Sequence, residues 1–220
     1  MTKQSKIKAL IFYLPVFYGL WAIGELFLFE QIRLLLNNEV QSQLVINALI
    51  KNLVWTLPAV IMIYHFKDDV YVTLKDMFSS KVNWLKYLPI FLLFTIFLIG
   101  DAILVNGKLA ISSEFGFDDV IDLLFVGVTE EMVFRGWLLN VTIKEDKKWR
   151  YIIINALMFL AIHFPIWIHN GIFVSSFTGF GFLCVIILSV IFSYTFIKSK
   201  NILVPIALHT YWDLLMFMFF

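Results

Sequence analysis

The sequence predicts an all-α protein: a polytopic transmembrane helical bundle of about seven spans with a cytoplasmic N-terminus. Three observations carry this. The chain of 220 residues is 61% hydrophobic and only 15% charged, against about 25% charged in soluble domains, and its mean hydropathy is +0.88. Several apolar runs reach about 20 residues, enough to cross roughly 30 Å of hydrocarbon as helix. The basic residues also alternate between the connecting segments in the way a membrane topology demands.

The spans fall at roughly 8–29, 44–66, 84–105, 119–142, 150–169, 173–197 and 202–220. The first follows Lys3, Lys6 and Lys8, but its apolar stretch is too long for a signal peptide and no small-x-small cleavage site follows. The segment 68–82, DDVYVTLKDMFSSKV, is short and amphipathic and reads as an interfacial helix or loop on the membrane surface. With the N-terminus inside, 13 of the 17 basic residues lie in inside segments and only Arg33 and Lys108 in outside ones, as the positive-inside rule requires. Lys51 and Arg135 fall within spans. No repeat or long linker breaks the chain, so residues 1–220 read as a single integral-membrane domain in the lipid bilayer. The net charge of +1 implies no nucleic-acid partner. The single cysteine, Cys184, rules out an intrachain disulfide and a cysteine-built metal site.

Against this apolar background the fourth span is conspicuous. GVTEEMVFRGW, residues 127–137, places Glu130, Glu131 and Arg135 near mid-depth. A charge there costs at least ~2.5–3.5 kcal/mol, so a site facing the bundle interior is expected. Glu131 and Arg135 are four apart and share a helix face as an ion pair. Glu130 is rotated about 100° from Glu131 and has no basic partner within the motif. In the fifth span His163 stands one turn after Phe159, and in the seventh His209 and Asp213 are four apart. Either histidine alone is ordinarily a packing residue; together with the acids they make one polar pocket if those faces converge. Glu25, Asp101 and Lys51 are weaker candidates. Glu25 and Asp101 lie near the outer ends of their spans, and Lys51 either pairs with an acid or snorkels.

Such a pocket has the parts for hydrolysis. A buried carboxylate acts as general base on water, imidazoles stabilise a developing oxyanion or protonate a leaving amine, and Asp213 is placed to orient His209. There is no GxSxG elbow and no HExxH. No cofactor is needed for this chemistry, although His163 and His209 with the carboxylates are also a donor set that a metal can use. From the short distance between His209 and the inner end of its span, access from the cytoplasmic side is expected.

The three motifs, Glu130-Glu131-x-x-x-Arg135, Phe159-x-x-x-His163 and His209-x-x-x-Asp213, resemble those of the CAAX-protease and bacteriocin-processing family, also called the Abi or type II CAAX prenyl endopeptidase family. The resemblance covers roughly 119–220. It implies a membrane-embedded endopeptidase acting on a peptide or protein substrate in or near the membrane. Glu130 would activate water, His163 and His209 would stabilise the oxyanion, Asp213 would support that site, and Glu131, Arg135 and Phe159 would hold it in place. Asp213 stands where the eukaryotic enzymes that cut prenylated tails commonly have asparagine, so a prenylated substrate does not carry over. Bacterial members are associated with peptide maturation, bacteriocin immunity and peptide signalling. The small size and the Lys-, Ile- and Phe-rich composition look like a low-GC Gram-positive member in the cell membrane. Two rival classes stand beside this reading. A non-proteolytic membrane partner would bind or retain a peptide or signalling protein. A proton-coupled transporter would show repeated halves or matched broken helices.

Overall fold

The computed structural model describes residues 3–179 and 181–220, and 84% of it is helix, with no strand among the described residues. Helix α1 is one rod made of Lys3–Ile23, a π-helical turn at Gly24–Leu28 and Phe29–Leu36. Helix α2 follows a two-residue turn in which Asn37 takes φ 46° and Asn38 accepts a hydrogen bond from the Gln41 amide. It runs through Glu39–Gln43, the π-helical Leu44–Thr56 and Leu57–His65. A short helix α3, Leu74–Ser79, is capped by the Thr73 hydroxyl. Helix α4, Leu88–Asn106, has Pro89 in its first turn and is closed by Gly107, whose φ of 71° suits the residue without a Cβ.

Helix α5 runs Phe117–Glu131, continues π-helical through Met132–Leu139 and ends with Asn140–Thr142. Its start is fixed by Asp119, whose carboxylate accepts from the Gly116 amide at 2.8 Å. Helix α6 is Lys148–His169, α7 the short Phe173–Thr178, α8 Gly181–Ser199 and α9 Leu203–Phe219.

Five helical rods are long and apolar enough to cross a membrane: Ser5–Leu36, Glu39–His65, Leu88–Asn106, Glu145–His169 and Gly181–Ser199. The chain is a multi-pass membrane protein. Helix α5 carries six charged side chains, and α9 has only 17 residues. The sixth span, expected as one run over 173–197, is in two pieces. Gly179 closes α7 by donating its amide to Ser175 O, and the span helix begins afresh at Gly181. Hydropathy does not register this because the residues on both sides are apolar; Phe173, Phe177 and Phe182 belong to one aromatic cluster with Phe164 and Trp167.

Two apolar cores hold the bundle. One joins α1, α2, α5 and α6 around Phe17, Trp21, Trp55, Phe134 and Trp137. The other joins α4, α8 and α9 around Phe94, Leu98, Phe192, Leu208 and Trp212. Where hydrocarbon gives helices no hydrophobic reason to associate, polar bonds and close packing do so. Tyr18 and Trp21 of α1 donate to the carbonyls of Met158 and Ile162 on α6, each at 2.7 Å. The 68–82 segment is more than a surface strap. Tyr71 and Val72 are bonded to Asn140 at the end of α5, Met77 O accepts from Ile202 N at the start of α9, and Met77 is fully buried. It therefore ties together the end of the helix that carries Glu130, Glu131 and Arg135 and the start of the helix that carries His209 and Asp213.

Helices α5 and α9 lie side by side in opposite directions. Gly127 permits the approach: a Cβ there would stand 2.5 Å from Thr210 Oγ1, with backbone atoms of α9 at 3.5 Å. Gly127→Ala should therefore cost roughly 1–3 kcal/mol by overpacking. Because the hydroxyl is the closest obstacle, adding Thr210→Ala should restore most of the loss. Thermal melting of the detergent-solubilised proteins measures both; a single variant as stable as the parent would show that the helices move apart freely.

Candidate active site

Glu130, Glu131 and Arg135 of α5 meet side chains of α6, α8 and α9. Arg135 is completely buried and holds Glu131, also completely buried, by Nη1 to Oε1 at 2.8 Å. Its Nη2 donates to Ser189 Oγ at 2.7 Å and to Ser189 O at 3.2 Å. The guanidinium lies over the Phe159 ring at 4.5 Å and near the Phe192 ring at 5.4 Å. A planar cation with a fork of donors is suited to such a mixture of carboxylate, hydroxyl and aromatic faces. The π-helical segment Met132–Leu139 begins directly after the two glutamates and contains Arg135, and widened turns of this kind recur at functional sites. Glu25 in α1 and Asn47 and Lys51 in α2 also lie on π-helical segments.

The same Glu131 oxygen accepts a hydrogen bond from His209 Nδ1 at 2.9 Å. One carboxylate thus fixes both the arginine and the histidine. His209 is stacked on Phe192, with ring centroids 4.9 Å apart, and its Nε2 faces Asp213 Oδ2 at 3.4 Å and Glu130 Oε2 at 3.8 Å. His163 Nδ1 donates to Phe159 O at 3.0 Å. Carbonyl and carboxylate oxygens only accept, so Nδ1 is the donor in both rings and each Nε2 is left to act elsewhere. Phe159 separates the two histidines, its ring 5.2 Å from His163 and 5.8 Å from His209.

Glu130, Glu131, Arg135, Phe159, His163, His209 and Asp213 are therefore placed around one centre, but the connections differ from those that spacing suggests. Asp213 was expected to orient His209. The tight orienting bond comes instead from Glu131, 78 residues away, on the opposite ring nitrogen. Glu131 and Arg135 form the expected pair. Among the described residues Glu130 has no hydrogen-bond or ion-pair partner nearer than His209 at 3.8 Å, and its side chain keeps 11% of its surface while that of Glu131 keeps none. His163 joins the group through Phe159 rather than through an acid.

Sequence reasoning missed Ser189, Phe192 and the bridge in which Asn155 donates to Phe134 O while accepting from Ser193. Asn155 was a visible signal, an amide inside an apolar span. Ser189 and Phe192 were not, since a serine and a phenylalanine in such a run look like packing. As for metal, no three His, Cys, Asp or Glu side chains among the described residues are gathered to hold an ion.

Residues 115–215 match the family described as Type II CAAX prenyl endopeptidase Rce1-like. No curated protein and no solved structure matches the chain. The matched segment begins just before α5 and ends within α9, so it contains all the side chains of the centre described above. Over residues 115–215 the chain is similar to the Rce1-like type II CAAX prenyl endopeptidase family, a family of membrane proteases.

Proposed function

We propose that the protein is an intramembrane endopeptidase in which Glu130 activates water for attack on a peptide bond. The observation that carries this is the inequality of two adjacent acids. Glu131 is consumed by Arg135 and His209, whereas Glu130 has no partner closer than 3.8 Å and keeps some access to small molecules. A general base has to be free to take a proton. In this reading Glu130 removes a proton from water as the oxygen attacks the carbonyl carbon. His209, as imidazolium among Glu130, Glu131 and Asp213, presents its Nε2–H to the oxyanion, and His163 stands across the Phe159 ring from it. The proton held by Glu130 then passes to the leaving nitrogen as the C–N bond breaks. Asp213 stands at His209 Nε2, and Glu131 with Arg135 holds the ring in place.

The mechanism asks nothing of a metal or other cofactor. The chain would cross the bilayer seven times with its N-terminus in the cytoplasm, as the basic residues favour. A bacterial cell membrane is the proposed location, and peptide maturation, bacteriocin immunity or peptide signalling the proposed setting. The deciding experiment is cleavage of peptides by the purified protein, with Glu130→Ala as control, with and without a chelator. Cleavage that needs Glu130 and survives the chelator is expected. Equal cleavage by the variant would assign the activity elsewhere, and loss with chelator would return His163 and His209 to the role of metal ligands.

A further inference from the structure

Helices α4 and α8 each pack against α9 and hardly against one another. The gap between them holds two cavities in line. The first, of about 410 Å³, lies where the chain enters α4 and leaves α8. It is lined by Lys81, Asn83, Lys86 and Tyr87 on one side and by Tyr194 and Lys198 on the other. The second lies deeper in the span, has a volume of about 330 Å³, and has the buried Phe94, Leu188 and Trp212 as its floor and the exposed Leu93, Phe97 and Ile187 as walls. One side-chain stripe joins the two on each helix. On α4, Ile90 lines the first cavity and Leu93 and Phe97 the second, at intervals of three and four residues. On α8, Lys198 and Tyr194 give way to Ile191, Ile187 and Leu183 at the same helical spacing.

Lysines at the ends of spans are ordinary on the cytoplasmic side, and each alone can snorkel into the headgroup layer. That accounts for their number but not for their arrangement. Three like charges surround one concavity, and among the described residues none of the three has an acid within 4.0 Å. Lys198 lies over the Tyr194 ring at 5.6 Å, and that ring is stacked on Trp149 at 5.9 Å. The mouth therefore has a fixed aromatic wall and positive charge with no acid in contact among the described residues. Beneath it, the open groove leaves apolar side chains without packing partners on one side. One kind of ligand answers both needs: an anion joined to a hydrocarbon chain. From Tyr194 to Leu183 is eleven residues, or ~16 Å along the helix. That is close to half of the roughly 30 Å hydrocarbon layer.

We propose that the α4–α8 groove is a binding site for an anionic phospholipid, with its phosphate among Lys81, Lys86 and Lys198 and an acyl chain lying along Leu93, Phe97 and Ile187 over Trp212. Phosphate oxygens are strong acceptors that carry the missing negative charge, and ammonium groups bind them as point charges. Basic pockets between spans on the cytoplasmic side are the usual form of such sites. A zwitterionic lipid brings a cation of its own into the lysine cluster and gains less there. A soluble phosphate leaves the groove unfilled. The site is independent of the role of Glu130, because the groove is bounded by lipid-facing side chains of α4 and α8 and binding needs no cleavage.

Photolabelling tests this. Phosphatidylglycerol or phosphatidylcholine with a diazirine in the acyl chain is presented to the full-length protein in nanodiscs of unlabelled phosphatidylcholine, and labelled peptides are mapped by mass spectrometry. Label from phosphatidylglycerol should concentrate on residues 90–97 and 183–191. A lysine near a membrane surface adds about fivefold to the affinity for an anionic lipid. Lys198→Gln should therefore lower that label about fivefold, and Lys81→Gln/Lys86→Gln/Lys198→Gln should bring it to the phosphatidylcholine level. Ile187→Trp, which fills the groove and leaves the lysines in place, should lower it as well. Millimolar inorganic phosphate should leave it unchanged. Equal labelling by the two lipids, label spread evenly over all the spans, or a triple variant that labels like the parent protein would overturn the site. A full signal in Ile187→Trp would remove the acyl chain from the groove, and loss of label to free phosphate would make the mouth an anion site; either result overturns the lipid.

Discussion

Glu130→Gln should lower the cleavage rate by about 10²–10⁴-fold, the contribution of a positioned general base, while the protein remains folded. Glutamine keeps the length and hydrogen-bonding reach of glutamate but takes no proton at useful pH. Glu130 makes no short bond whose loss would loosen the bundle, since its nearest partner is His209 Nε2 at 3.8 Å. Yield, melting temperature and elution volume should therefore match the parent protein. The neighbouring substitution is the control. Glu131→Gln replaces a fully buried charge that Arg135 and His209 both hold, so it should reduce folded protein as well as activity. His163→Ala and His209→Ala should be almost as severe as Glu130→Gln in rate. Asp213→Asn should be milder, because an amide oxygen can still accept from His209. Initial rates per mole of folded protein decide the matter. A Glu130→Gln protein retaining more than roughly a tenth of the parent rate would remove Glu130 from the base role.

The parts of the site visible in the sequence are those whose physics is local. A charge in a span is costly wherever it stands, so Glu130, Glu131 and Arg135 announce themselves. Helical spacing reports which residues share a face, so the Glu131–Arg135 pair is read correctly at 2.8 Å. Spacing cannot report contacts between helices. It therefore assigned the orientation of His209 to Asp213, its neighbour in α9, when Glu131 on α5 makes the shorter bond. Ser189 and Phe192, which complete the surroundings of Arg135 and His209, are ordinary residues of an apolar helix until that helix is laid against α5. Fold class followed from composition, the length of the apolar runs and the alternation of basic residues. Element boundaries were less legible, because hydropathy does not register the end of a helix inside lipid: α1 runs on as helix to Leu36, past the expected end of its span at 29. Nor does it register the end of α7 at Gly179, where the neighbouring side chains remain apolar.

Arg135→Ala should cost ~3–5 kcal/mol of stability, the usual penalty for leaving one member of a buried pair alone, and should deplete folded protein in the membrane. Both partners are completely buried, so water cannot enter to solvate the carboxylate left behind. Ser189 also loses the donor to its hydroxyl and carbonyl, and the Phe159 and Phe192 rings lose the cation between them. Arg135→Lys should recover only part of the loss, because one ammonium cannot reproduce the fork that spans Glu131 and Ser189. The informative variant removes both charges. A buried ion pair exchanged for apolar residues of similar volume is often neutral or stabilising, so Glu131→Leu/Arg135→Leu should regain much of the abundance lost in Arg135→Ala. Activity should not return with it, since His209 Nδ1 no longer has the acceptor that fixes its ring. Abundance and melting temperature therefore separate from catalysis only if Glu131 both supports the fold and holds His209. A double variant that is abundant and active would show that the ring needs no such anchor. An Arg135→Ala protein of full abundance and stability but no activity would place Arg135 in contact with substrate instead.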